Sequence, residues 1–257
     1  MAEGLVKLEI DGGAARLILD HAPVNALGTG LIAALHRALD GVEQSKDVGV
    51  LHLKSALRVF CAGADLAEMR ANFIDPKRID HQIEDIRNIQ NVLKRIESLA
   101  VVTLAEINGA AMGGGLELAL ACDLRVVAHE AKLALPETNL GLIPGAGGTQ
   151  RLTRLVGAAI SKRLILGAEI LDGRTALELG VAQWAVPRAE LAAFADALAL
   201  RLSQLPRAAL AEAKSCIAAV FDPERDGYEE ELAATRRLLQ SEPETRRRVE
   251  TFLNKEK

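Results

Sequence analysis

The stretch from Ile107 to Gln150, INGAAMGGGLELALACDLRVVAHEAKLALPETNLGLIPGAGGTQ, constrains this chain more than any other. Two glycine clusters in it each open a helix-forming run, and two glutamates, Glu117 and Glu137, interrupt otherwise apolar sequence. Glu117 sits among Leu116, Leu118, Ala119, Leu120 and Ala121, a helix apolar on every side and therefore expected in the core. An ionised carboxylate there is costly unless it is paired, hydrogen-bonded or protonated. Glu137 follows Leu133-Ala134-Leu135-Pro136, a short buried-strand pattern ended by proline. Singly, Glu117 reads as a first-turn acid facing a helix dipole and Glu137 as a turn residue. Together, beside two glycine-opened helices, they point to a paired-carboxylate site.

Gly113-Gly114-Gly115 places bare N–H groups at a helix N-terminus, a setting for a phosphate or a developing oxyanion. Phosphate loops are excluded by spacing, because Gly115-Leu116 stands where such a loop needs Lys followed by Ser or Thr. Gly145-Ala146-Gly147-Gly148-Thr149-Gln150 begins like a dinucleotide fingerprint but has Gln150 in place of the last glycine. The oxyanion reading remains, beside the alternative that these glycines only permit close packing.

With 257 residues the chain can form one large domain, or a core with an appendage. Aromatics are 3% against 49% hydrophobic residues, so the core must be aliphatic. No apolar run reaches the roughly 18 residues of a membrane span. The opening MAEGLVKLEI lacks signal or transit character, and Cys61, Cys122 and Cys216 form no CxxC, which together read as a cytoplasmic protein with reduced thiols. A net charge of −4 argues against a general nucleic-acid binder, and Arg236-Arg237 and Arg246-Arg247-Arg248 lie in a glutamate-rich helical tail as solvated faces.

In order, Leu5–Ile10 and Ala15–Leu19 flank Asp11-Gly12-Gly13 as a hairpin, and a helix runs from beyond Leu27 to about Gln44. Strands are expected at Val48–Leu53, Ala100–Ile107, Leu124–Ala128, Lys132–Leu135 and Val181–Val186. Asp65, three residues before Glu68, has the spacing of a helix N-cap. Residues from Arg70 to about Glu97, polar and broken by Pro76, are expected to hold a mobile loop before a helix. The helix opened at Gly145–Gly148 should run to about Val156, with another at Ser161–Leu166. Beyond Pro187 four helices follow, with Pro206, Pro223 and Pro243 near the starts of three. The expected division is an α/β core over 1–188 and an all-helical region over 189–257.

Three blocks then carry a resemblance: Phe60-Cys61-Ala62-Gly63-Ala64-Asp65-Leu66; Asn108-Gly109 with Gly113-Gly114-Gly115-Leu116-Glu117-Leu118-Ala119; and Pro136-Glu137 with Pro144 to Leu152. They resemble the signature blocks of the crotonase superfamily, and within it enoyl-CoA hydratases. The likeness extends from Val24-Asn25-Ala26-Leu27 to the helical tail.

It implies a spiral of repeated ββα units with a C-terminal helical region that packs subunits into trimers, commonly paired as hexamers. It also implies a coenzyme A thioester substrate and no metal or redox cofactor. By this resemblance Ala64 and Gly114 donate the N–H groups of an oxyanion hole. Ala62, Ala64, Asp65, Leu66, Ala67, Gly114 and Gly145 border the substrate. Glu137 delivers the proton to C2, and Glu117 binds and activates water. His21-Ala22-Pro23 departs from the Asn-Arg-Pro of many relatives. Many relatives also continue past the position of Lys257 with an aromatic and a lysine that contact CoA, so the roles of Phe252 and Lys255 stay open.

Superfamily isomerases commonly keep only the equivalent of Glu137, so Glu117 favours hydration. Gly113–Arg125 also resembles methylglutaconyl-CoA hydratases, one of which binds AU-rich RNA; the low basicity here weighs against RNA. A serine-peptidase reading lacks G-x-S-x-G.

Overall fold

The computed structural model describes residues 4–73 and 78–255. A hairpin opens it, β1 (Val6–Asp11) against β2 (Ala14–Leu19), turning on Gly12 and Gly13 at φ +56° and +83°. β1 alternates charged and apolar residues and is largely exposed, as suits an edge strand. Beyond it β2, β3 (Val50–Ser55), β4 (Val102–Ile107), β6 (Leu124–Ala128) and β9 (Trp184–Val186) are mutually parallel, giving a six-stranded sheet in the order β1-β2-β3-β4-β6-β9. β3 and β4 are buried over most of their length, as suits parallel strands in the middle of a sheet covered on both faces.

Each turn of the chain adds one strand to this sheet and one short stretch to a second layer. That layer is β5 (Ala111–Met112), β7 (Lys132–Ala134) and β8 (Leu171–Asp172), extended by single bridges Cys61–Ala111 and Leu27–Ala64. Helices close the turns: α1 (Thr29–Gln44), α2 (Leu66–Phe73), α3 (Ile79–Ser98), α4 (Gly114–Leu120), α5 (Gly148–Leu166) and α6 (Gly173–Glu178). The result is the expected spiral of ββα units. α1 buries Leu31, Leu35 and Leu39, spaced four apart, on one face of the large sheet. α7 (Arg188–Ser203) lies along β2, β3, β4 and β6 and buries Leu191, Ala195, Leu198 and Leu202. Beneath it, fully buried His52 stands 2.9 Å from Glu106 and 3.5 Å from Asp196, with Lys54 2.9 Å from Glu106.

Two expectations change. Most of the polar segment 70–97 is helix, because Ile89, Val92, Leu93 and Ile96 form a buried stripe that its charges obscure; Pro76 lies outside the described residues. The two helices expected across 148–166 are both present within α5, parted at Gly157, whose φ of +79° and ψ of 165° are not helical. α6 is additional, and Asp172 caps it by accepting the Thr175 N–H.

The last helices, α8 (Arg207–Ala219), α9 (Gly227–Ser241) and α10 (Pro243–Lys255), pack on one another and leave Ile217, Val220, Tyr228, Leu232 and Phe252 more than half exposed. Among the described residues no helix is long and apolar enough to cross a membrane.

Candidate active site

Four segments meet at one place: the chain after β3, the start of α4, the turn after β7 and the start of α5. Gly63 has φ +96°, and a Cβ on it would lie 2.6 Å from the Met112 carbonyl oxygen and 3.2 Å from the Gly114 nitrogen. A Cβ on Gly114 would lie 3.5 Å from the Ala64 nitrogen. Only glycine permits this approach, and it brings the Ala64 and Gly114 amides side by side. Among the described residues, neither of these N–H groups donates a hydrogen bond.

Asp65 caps α2, its Oδ1 accepting from Ala67 N at 2.8 Å and Glu68 N at 3.1 Å. Glu68 does not close a capping box on its own helix. It crosses to α1, where Oε2 accepts from Thr29 N at 3.0 Å and Thr29 Oγ1 at 3.1 Å. Ala62, Leu66 and Ala67 are exposed, so a strip of open surface runs past the Ala64 amide.

Glu117, on α4, is 2% exposed. Its Oε1 accepts from Gly148 N, at the head of α5, at 2.7 Å. Burial pushes this carboxyl up to about 7 from an ordinary 4.5. The charge of Glu137 pushes the same way, while the backbone of Gly148 and Ala146 and the charge of Arg151 oppose it. Glu137 opens a single 3₁₀ turn, Glu137–Leu140, and is raised by burial too. Its Oε1 lies where a Cβ on Gly113 would come within 2.8 Å, and its Oε2 is buried with no hydrogen-bond partner among the described residues. Both carboxyl groups therefore favour protonation more than a solvated glutamate does, and the charge of Glu137 reaches Glu117.

Gly145 belongs to the same locality. Its carbonyl accepts from Gln90 Nε2 at 2.7 Å, and Ile86 lies 3.4 Å from where its Cβ would be. Arg151 braces the next residues, with Nη1 donating to the Ala146 carbonyl at 3.0 Å and Nη2 to Glu97 at 2.9 Å. Gln90, Glu97 and Arg151 were not legible beforehand; nothing local marks them, since their partners lie 54 or 55 positions away or in a neighbouring turn. Phe252 stands exposed on α10, and the side chain of Lys255 lies outside the described residues.

Residues 9–257 match the family described as Enoyl-CoA hydratase/isomerase. The chain is 40% identical over 193 residues to mouse (Mus musculus) methylglutaconyl-CoA hydratase, mitochondrial, covering 73% of this chain and 59% of that protein. It is also 40% identical over 200 residues to a probable enoyl-CoA hydratase of Bacillus subtilis, covering 77% of this chain and 76% of the other. The aligned part thus spans about three fifths of the mouse relative's length. Among solved structures, an enoyl-CoA hydratase from Bacillus anthracis superposes with TM-score 0.90 at 30% identity, over 98% of this chain and 96% of that one.

Proposed function

We propose that this chain, which belongs to the enoyl-CoA hydratase/isomerase family, is an enoyl-CoA hydratase that adds water reversibly across the double bond of a 2-enoyl-CoA to give a 3-hydroxyacyl-CoA. The observation that carries the reading is the Glu117–Glu137 pair, two carboxyl groups raised by burial beside the adjacent Ala64 and Gly114 amides.

The chemistry follows from that arrangement. Water attacks C3 and gives a proton to a carboxylate, while a carboxylic acid gives its proton to C2; one water is added and no redox step is needed. Glu117 serves chiefly as the base that holds and activates water, and Glu137 chiefly as the acid toward C2. Glu117, pushed up to about 7, and Glu137, raised by burial, suit this exchange. Charge that gathers on the thioester oxygen as an enolate is stabilised by the Ala64 and Gly114 N–H groups, which act as an oxyanion hole. Thioester and pantetheine run along Ala62, Asp65, Leu66 and Ala67, and Gly145 borders the reacting water. No metal or redox cofactor takes part, coenzyme A being carried by the substrate. Purified protein should consume crotonyl-CoA, read as loss of the conjugated enoyl-thioester absorbance. No turnover with straight, branched or dicarboxylic enoyl-CoA esters by folded protein would reject the reading.

A second reading, a hydratase of branched or dicarboxylic esters, is favoured by the 40% identity to the mouse methylglutaconyl-CoA hydratase. Relative rates across the same panel separate the two. Three cysteines, none in a disulfide, accord with a reducing compartment such as the cytoplasm, although the mouse relative is named mitochondrial. The exposed apolar side chains of α8–α10 support assembly into a homotrimer or homohexamer.

A further inference from the structure

Arg151 stands in an unfavourable place. It lies in the first turn of α5, where the helix already presents its positive end, and it is 8% exposed. Its contacts account for it. Nη1 donates to the Ala146 carbonyl at 3.0 Å, while Nε and Nη2 donate to Glu97 Oε2 at 3.2 and 2.9 Å. Glu97 is near the end of α3, so the guanidinium ties the turn before α5 to a different helix. It also fills the space that a Cβ on Gly147 would take, where φ is +108°. The next residue, Gly148, donates the hydrogen bond to Glu117.

We propose that Arg151 is a positioning residue for the reaction: it locks the Ala146–Gly148 turn so that the Glu117 carboxylate keeps both its place and its charge. This rests on the reading of Glu117 as the base. Two charged groups act on Glu117 from the elements around it. Glu137 opposes its ionisation from the 3₁₀ turn, and Arg151 favours it from α5. Glu97, behind Arg151, sets where that guanidinium sits. The bland role is a link between α3 and α5 with no bearing on Glu117.

Carbon-detected NMR of full-length protein labelled at glutamate carboxyl carbons distinguishes the roles, with the Glu117 signal identified by its loss in Glu117→Gln. In Arg151→Gln the Glu117 titration midpoint should rise by about one pH unit, and Arg151→Lys should bring it back toward wild type. In parallel, kcat should fall about 10-fold at mildly acid pH with KM within about twofold, the mark of an interaction that acts on the chemical step. A midpoint and pH–rate profile unchanged in folded Arg151→Gln, with only Tm lowered, would overturn the proposal. Should that variant not fold, Glu97→Ala keeps the cation but removes its acceptor on α3; it should still lower kcat several-fold, and wild-type kcat there would also overturn it. The titration requires no turnover, so a wild-type protein inactive on every enoyl-CoA would reject the functional reading while the coupling of Arg151 to Glu117 is still read.

Discussion

Glu117 Oε1 and the Gly148 N–H meet at 2.7 Å from positions 31 apart in the chain. The contact makes the buried carboxylate of one helix the partner of the first amide of another. A Cβ on Gly148 would lie 2.9 Å from that same oxygen and 2.9 Å from the Pro144 ring, so no side chain fits without moving the carboxylate. Gly148→Ala should therefore cut kcat by about 10²-fold, the cost of a small misplacement of a reacting group. Stability should fall by no more than about 3 kcal/mol, as for overpacking of a single methyl. Steady-state kinetics beside a thermal melt would check both, and wild-type kcat would contradict the placement.

Division of labour between the glutamates is open to a direct comparison. Glu117→Gln and Glu137→Gln should each lower kcat for hydration by about 10²–10⁴-fold with little change in KM. The double variant should lose far less than the product of the two, because groups serving one event are not additive. Isomerisation of a 3-enoyl-CoA should depend on Glu137 alone. Near-normal hydration by Glu117→Gln would remove that residue from the mechanism.

The same burial has a consequence for stability, and its sign is fixed. In the unfolded chain Glu117 titrates near 4.5, but in the folded chain near 7, so the folded state holds the proton more tightly. Its contribution is complete below about pH 4.5 and is lost as pH rises through about 7, a difference of about 3 kcal/mol. Glu117→Gln should accordingly be more stable than wild type near pH 8.5 and equal to it near pH 4. Glu106 runs the other way. Burial raises it, but the contacts and charges of His52 and Lys54 outweigh that and hold it below 4.5, so its contribution exists above that pH and is lost as pH falls. Thermal melts at the two pH values test the first claim, and a Glu117→Gln protein less stable than wild type at the higher pH would refute it.

Helices α8–α10 and the residue after α8 leave Ile217, Val220, Tyr228, Leu232 and Phe252 more than half exposed, and such apolar side chains are material for a contact between chains. Light scattering at micromolar concentration should return the mass of three or six chains. A mass of one chain would exclude the assembly.

Much of this was legible in the sequence because the signals were local. A glutamate ringed by Leu116, Leu118 and Leu120 announces burial, and the spacing of Asp65 announces a cap; both are found. Glycine-rich segments marked where backbones meet, although the pairing of Ala64 with Gly114 came from family resemblance and not from spacing. What stayed hidden depends on distant partners. The extent of α3 was hidden, because its apolar residues gain meaning only once α1 lies against them. Glu68 had the spacing to serve its own helix and instead serves α1, which no local rule predicts.

Finally, α4 is only seven residues long, far below what persists as a helix alone in water. It is held from outside. Gly113 N donates to the Ala134 carbonyl at one end, and at the other the buried Arg125 guanidinium binds the Ala119 and Cys122 carbonyls. Gly114 and Glu117 ride three positions apart on this splint and cannot drift independently. Ala64 and Glu137 belong to other segments. Any shift of α4 would therefore displace an amide and a carboxyl group together, relative to Ala64 and Glu137, which are anchored elsewhere.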